Sequence, residues 1–192
     1  MLGQNIRIKE IPVIHLDLCI AKTSGDSPGA SIETHCTIVA FVARELITLF
    51  ACTVQKTLCP EGTDFIAGLH DIGKASPSFQ KMIYEHVSSE YQTVIHCLAD
   101  VNPDLAKRSC AGFHAAVSQV TLEEAGNHIP EIAGMHHGFT PSTGNLMPGN
   151  ALHGGQAWQN ERQKLVEKLR ETLSYPINFW PQISEIQAGI IA

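Results

Sequence analysis

The chain has 192 residues, 44% of them hydrophobic, and sets 13 Lys and Arg against 19 Asp and Glu for a formal charge of -6. That length and apolar share suit one domain with a core of its own, and the acidic balance argues against a protein held on duplex DNA by a broad basic surface. No apolar run approaches the roughly 20 residues of a membrane span, and residues 1–10 carry no signal-like apolar region, so a soluble, cytoplasmic protein without membrane contact is expected.

Six cysteines, Cys19, Cys36, Cys52, Cys59, Cys97 and Cys110, stand singly with no CxxC pair. They read as buried free thiols of a reducing compartment, with neither disulfides nor a structural zinc site. From the N-terminus, residues 6–20 are rich in Ile, Val and Leu but carry Pro12, which suggests an extended or irregular lead-in. Residues 21–31 have loop composition, and Ser31 or Thr34 is placed to cap the next helix. The apolar positions Ile38, Val39, Phe41, Val42, Leu46, Ile47 and Phe50 recur at helical spacing, so residues 32–55 are expected to form a long, mostly buried helix with His35 in its first turn. A break at Pro60 to Thr63 precedes a helix over 64–71, with Thr63 as its cap, and Ser76-Pro77 starts another.

Residues 85–108 are more polar, and His86 and His96 there read as surface histidines. A helix over 111–125 carries His114 in its first turn, with Val117, Val120 and Leu122 directed inward. Pro130 opens a helix ending at His136-His137, where Gly138 can take the left-handed cap conformation and present the last side chains to a cleft. Residues 139–155 form a long loop by their Gly and Pro content. Residues 158–174 read as a charged surface helix with Leu165, Leu169 and Leu173 inward, and a last helix starts near Ser184.

The chemistry centres on Ala67-Gly-Leu-His-Asp-Ile-Gly-Lys74. Adjacent His70 and Asp71 offer an imidazole nitrogen and a carboxylate whose two oxygens can bridge two metal ions. Lys74, one turn on, shares their face and could meet a substrate phosphate oxygen. His35, His70, Asp71, His114, His136 and His137 each sit at the start or end of an apolar helix. Buried polar groups must be partnered, so a shared metal centre accounts for six such residues most simply.

The pattern H…HD…K…H…HH resembles that of the HD phosphohydrolase superfamily. Gly68-Leu-His-Asp-Ile-Gly-Lys-Ala-Ser-Pro-Ser-Phe-Gln80, Gly112-Phe-His-Ala-Ala-Val-Ser118 and Gly134-Met-His-His-Gly138 closely resemble the HD nuclease domain of the CRISPR-associated type I helicase-nuclease, as does the lead-in Ala21-Lys22-Thr-Ser. The resemblance implies an all-α fold, an HD-domain helical bundle with a metal site between helices. It implies one divalent ion held by His35, His70 and Asp71 and a second by Asp71, His114, His136 and His137, with Lys74 on substrate phosphate. The family's Asp three residues after the first histidine is replaced here by Ile38. Its final ligand, an Asp, follows a segment like Ala188-Gly-Ile-Ile-Ala192, so residues 1–192 are expected to form a single nuclease domain cut before that Asp and before any helicase domain.

The function expected on this basis is metal-dependent hydrolysis of phosphodiester bonds in single-stranded DNA, in CRISPR antiviral defence. Asp71 and Lys74 are the catalytic candidates, and a helicase domain in cis or trans and an RNA-guided surveillance complex are the partners. Histidine-rich ligation favours Mn, Co, Ni or Fe over Mg. The alternatives are an HD-type phosphohydrolase of nucleotides and a non-catalytic interaction module.

Overall fold

A computed structural model of the chain describes residues 11–101, 113–126, 128–141 and 152–191. Eight α-helices are seen among them: α1 Ile32–Thr48, α2 Cys52–Leu58, α3 Thr63–Leu69, α4 Pro77–Tyr84, α5 His114–Thr121, α6 Ile129–Met135, α7 Gly155–Thr172 and α8 Glu185–Ile191. The fold is the helical bundle expected, with one small antiparallel hairpin of β1 Thr23–Ser24 and β2 Ser27–Pro28 in the lead-in. The expected loop over 21–31 therefore contains paired backbone, and an isolated bridge between Ile20 and Ser31 closes its base.

Helix α1 starts where the Ser31 side chain accepts the Thr34 amide at 3.1 Å, the capping arrangement that satisfies a free first-turn donor. It packs along α3 with its closest approach at the small Cys36 and Ala40. Ile32, Cys36 and Ala40 are fully buried, and a β-carbon at Gly68 would come within 3.0 Å of the Ala40 methyl. The expected inward face of this helix is corrected here. Ile38, Phe41, Val42, Leu46 and Phe50 are exposed, and the helix ends at Thr48 before α2 begins. Two helices replace the single one over 32–55, and of the apolar side chains that mark the periodicity only Val39 and Ile47 are half-buried while the others face outward.

Thr63 is the first residue of α3 and does not cap it. Gly62, at φ 89, holds the capping position, while the Thr63 hydroxyl donates to the Pro60 carbonyl at 2.7 Å. Helix α4 opens on Pro77 in its first turn, as expected. Helix α7 is more deeply set than a surface helix. Leu165, Leu169 and Leu173 point inward, but Trp158, Glu161 and Arg162 are buried too. The Trp158 indole donates to the Pro12 carbonyl at 3.0 Å and a Glu161 carboxylate oxygen accepts the Leu16 amide at 3.0 Å, tying the lead-in to this helix.

Cys19 and Cys36 are buried free thiols, whereas Cys52 and Cys97 are exposed and Cys59 is half-buried, so the expectation of uniformly buried thiols fails outside the core. Burial pushes the Cys19 thiol up to about 12, which leaves it inert. His86 and His96 are exposed, as expected. Cys110 and most of the expected 139–155 loop lie outside the described residues. No described helix is long and apolar enough to cross a membrane.

Candidate metal centre

The HD segment is held at a helix end. Helix α3 stops at Leu69, His70 caps it, and Ile72–Lys74 tightens into a 3-10 turn. Ile72 is fully buried beneath this turn, which turns the His70 and Asp71 side chains toward the neighbouring helix ends. The turn lies so close to α5 that a β-carbon on Gly73 would fall 1.9 Å from the His114 carbonyl oxygen. Only glycine fits there. Ser118, one turn after His114, locks the contact: its hydroxyl accepts the Gly73 amide at 2.9 Å and donates to the His70 carbonyl at 2.8 Å.

Four separate segments converge on the Asp71 carboxylate, which is 3% exposed. His35 Nε2 lies 2.8 Å, His70 Nε2 2.9 Å and Lys74 Nζ 2.7 Å from Oδ2. His114 Nε2 lies 3.2 Å and His136 Nε2 3.5 Å from Oδ1. His137 Nε2 stands 3.0 Å from His114 Nε2. All seven residues singled out in the sequence are therefore in one cleft. Gly138, at φ 79, ends the chain's helical course after His137 as the sequence suggests.

Two of the rings are oriented from behind. Nδ1 of His70 donates to the Ala67 carbonyl and Nδ1 of His136 to the Ala133 carbonyl, both at 2.7 Å, because a carbonyl can only accept. Each of these rings thereby turns its Nε2 toward the cleft, the arrangement used by metal-ligating histidines. Burial alone would raise the Asp71 carboxyl, but the facing imidazoles of His114, His136, His35 and His70 outweigh it and hold it far below the usual carboxylate range. Burial, with the neighbouring His136 and His114, pulls the His137 imidazole below its ordinary value.

The residues fit divalent ions. Donor atoms of His35, His70 and Asp71 lie within 4.8 Å of one another, and so do those of His114, His136 and His137. Asp71 Oδ1 and His136 Nε2 are buried without a hydrogen bond between proteinaceous partners. Such orphaned acceptors are costly unless something electropositive satisfies them. Carboxylate oxygen and imidazole nitrogen are the donor types that transition ions take.

Supporting residues have no role in the sequence reading, although Gln80 and Ser118 close two of its motif segments. Gln80 is fully buried: its amide donates to the carbonyls of Ile20 at 3.0 Å and Lys74 at 2.9 Å, and its oxygen accepts the Ile20 amide at 3.0 Å. Arg162 reaches from α7 to the Ala75 carbonyl at 2.8 Å and the His153 carbonyl at 2.9 Å. Burial pulls its guanidinium down to about 9. Ser118 does carry a signal, as a lone hydroxyl one turn after His114 in an apolar stretch. Arg162 carries none, since it stands among other charges in Glu161-Arg162-Gln-Lys164.

No curated protein and no solved structure matches the chain. The family model described as Cas3, HD domain, matches residues 21–189 and so spans every segment that enters the cleft. With the shared carboxylate, its two histidine sets and the lysine already in place, that match assigns the family: the chain belongs to the Cas3 HD domains.

Proposed function

We propose that the chain is a metal-dependent nuclease that hydrolyses phosphodiester bonds of single-stranded DNA, with a helicase domain and an RNA-guided complex as its partners in CRISPR defence. Membership of the Cas3 HD family gives the coarser statement, a hydrolase domain of CRISPR systems. The observation that carries the reading is Asp71, whose two oxygens face different sets of imidazoles, His35 and His70 on one side and His114 and His136 on the other. His35, His70 and Asp71 would hold one divalent ion, and Asp71, His114, His136 and His137 a second. Ions bound there would supply an activated water and neutralise charge on the scissile phosphate.

The protein's own residues set up that chemistry in advance. Asp71 stays ionised, and the backbone carbonyls of Ala67 and Ala133 fix the His70 and His136 tautomers. Ser118 and Gly73 keep the two walls of the cleft at one separation. Lys74 holds its ammonium beside Asp71, over the Phe79 ring at 5.6 Å, within the same cleft. From there it is placed to take a phosphate oxygen of the substrate. Because the chain is acidic, positive charge for the substrate comes from this cleft, not from the general surface.

The test is cleavage of labelled single-stranded DNA with Mn²⁺, alongside a panel of nucleotides and a calorimetric metal titration. Cleavage that a chelator abolishes is expected. Asp71→Ala should cost more than the roughly 100-fold that follows loss of an outer-sphere partner, with the helical circular-dichroism signal retained. Hydrolysis of nucleotides with DNA left intact would replace this reading with a nucleotide phosphohydrolase. Failure to bind any divalent ion would leave an interaction module.

A further inference from the structure

We propose that Phe139 is a stacking platform for a nucleobase next to the phosphate in the cleft, an inference that rests on the nuclease reading above. The chain turns at Gly138, whose amide donates to the Met135 carbonyl at 2.7 Å, and this turn brings Phe139 back beside the ligand histidines. Its ring lies 6.3 Å from the His137 ring with an angle of 21° between the planes. The His137 ring in turn lies 4.2 Å from that of His136 and 4.9 Å from that of His114. Phe139 therefore stands one ring beyond the residues that face Asp71, at the rim of the cleft.

The ring does not fill the core. It is 49% exposed, whereas the other phenylalanine of the cleft, Phe79, is 5% exposed and lies beneath Lys74. An aromatic held parallel to a histidine at 6.3 Å is in the range of offset stacking. Its pose is thus fixed from one side while much of its surface stays open to solvent. In a single strand each base is joined to its phosphate through one sugar, so a phosphate in the cleft carries its base to the rim. An open aromatic face accepts any of the bases, because each has a π-surface and stacking reads no hydrogen-bonding edge. A duplex offers no such surface, since its bases are already stacked on one another. The substrate class that fits is an unpaired polynucleotide without sequence preference.

The experiment uses the whole chain with Mn²⁺ and two oligonucleotides, one of thymidine and one of the same length with abasic sugars throughout. Binding is followed by fluorescence anisotropy and cleavage by kcat/KM. The wild type should favour the thymidine strand, and Phe139→Ala should lower that preference about tenfold, mainly through KM. Phe139→Trp should restore it. An unaltered preference in Phe139→Ala, or one that Phe139→Trp fails to restore, would overturn the platform. Discrimination between the strands in binding, without cleavage of either, would count against the hydrolase reading and leave the platform standing.

Discussion

The two faces of α1 are both apolar, yet one is core and the other is surface. The inner face uses Ile32, Cys36 and Ala40, each fully buried, against the backbone of α3. The outer face carries the larger Ile38, Phe41, Val42, Leu46 and Leu49, which are 41% to 78% exposed. Hydrophobicity does not separate the two faces; the close approach to α3 is made at the small Cys36 and Ala40. Small side chains let α3 approach closely enough for His35 Nε2 on α1 and Asp71 Oδ2, just past the end of α3, to meet at 2.8 Å. The same rule operates across the cleft, where Gly73 lets the 3-10 turn lie on α5. A tight inner wall and a loose outer face should respond differently to substitution.

The largest effect is expected at the tightest contact. Gly73→Ala places a methyl group 1.9 Å from the His114 carbonyl oxygen, so either the turn or α5 must move. Overpacking of this kind costs about 3 kcal/mol. The shift also separates Asp71 from His114, so cleavage should fall to background. Urea denaturation and a DNA-cleavage assay of the variant check both; a stable, active Gly73→Ala protein would mean that the wall is not tight.

The convergence of these residues on one cleft was legible in the sequence because a cluster of histidines with one aspartate leaves few alternatives. His70, Asp71, His114 and His136-His137 fall at helix ends marked by Gly or Pro, where the end of an apolar helix can direct side chains into a shared cleft. Helix starts at Ser31 and Pro77 were legible for the same local reason. The orientation of α1 was not, because a helix apolar on both faces has no preferred inside until its partner's shape is known. Gln80 and Arg162 are fully buried although their residue types belong mostly to surfaces. Their partners, Ile20 and Ala75, are backbone carbonyls brought near only by the fold.

A second way to sharpen the contrast is to titrate the layer behind the inner wall. Burial, and then the neighbouring Arg162 charge, lowers the His153 imidazole from 6.5 to about 4. The unfolded chain therefore binds a proton on His153 between these values while the folded chain does not. Stability conferred by the neutral ring is present above pH 6.5 and is lost as the pH falls toward 4. The gap corresponds to about 3 kcal/mol at most. In urea titrations across this range, His153→Gln should remove that part of the slope. An unchanged slope would show that His153 is not held neutral against Arg162.

Ser118→Ala probes the lock itself with less disruption. It removes the acceptor of the Gly73 amide and the donor to the His70 carbonyl, leaving two buried backbone groups without partners. About 2 kcal/mol of stability should be lost. Metal affinity should weaken roughly tenfold, as when an outer-sphere partner of a ligand is removed. Calorimetric titration with Mn²⁺ reads the second effect independently of the first. Loss of stability with unchanged affinity would confine Ser118 to a packing role.

The smallest effect is expected on the outer face, and it is the one most at odds with the pattern of the sequence. Ile38, Val42 and Leu46 sit at positions where helical periodicity alone would place a core. Each is more than half exposed, so replacing it with Gln removes little surface from a buried environment. Single substitutions there should change stability by no more than about 0.5 kcal/mol. Ile32→Ala on the inner face should instead cost about 2–5 kcal/mol, since that side chain is fully buried. The measurement is the urea midpoint of the four variants beside the wild type. Equal losses on the two faces would mean that α1 is buried all round. A loss confined to Ile32→Ala would establish that only the face of α1 carrying Ile32, Cys36 and Ala40 is buried against the rest of the fold.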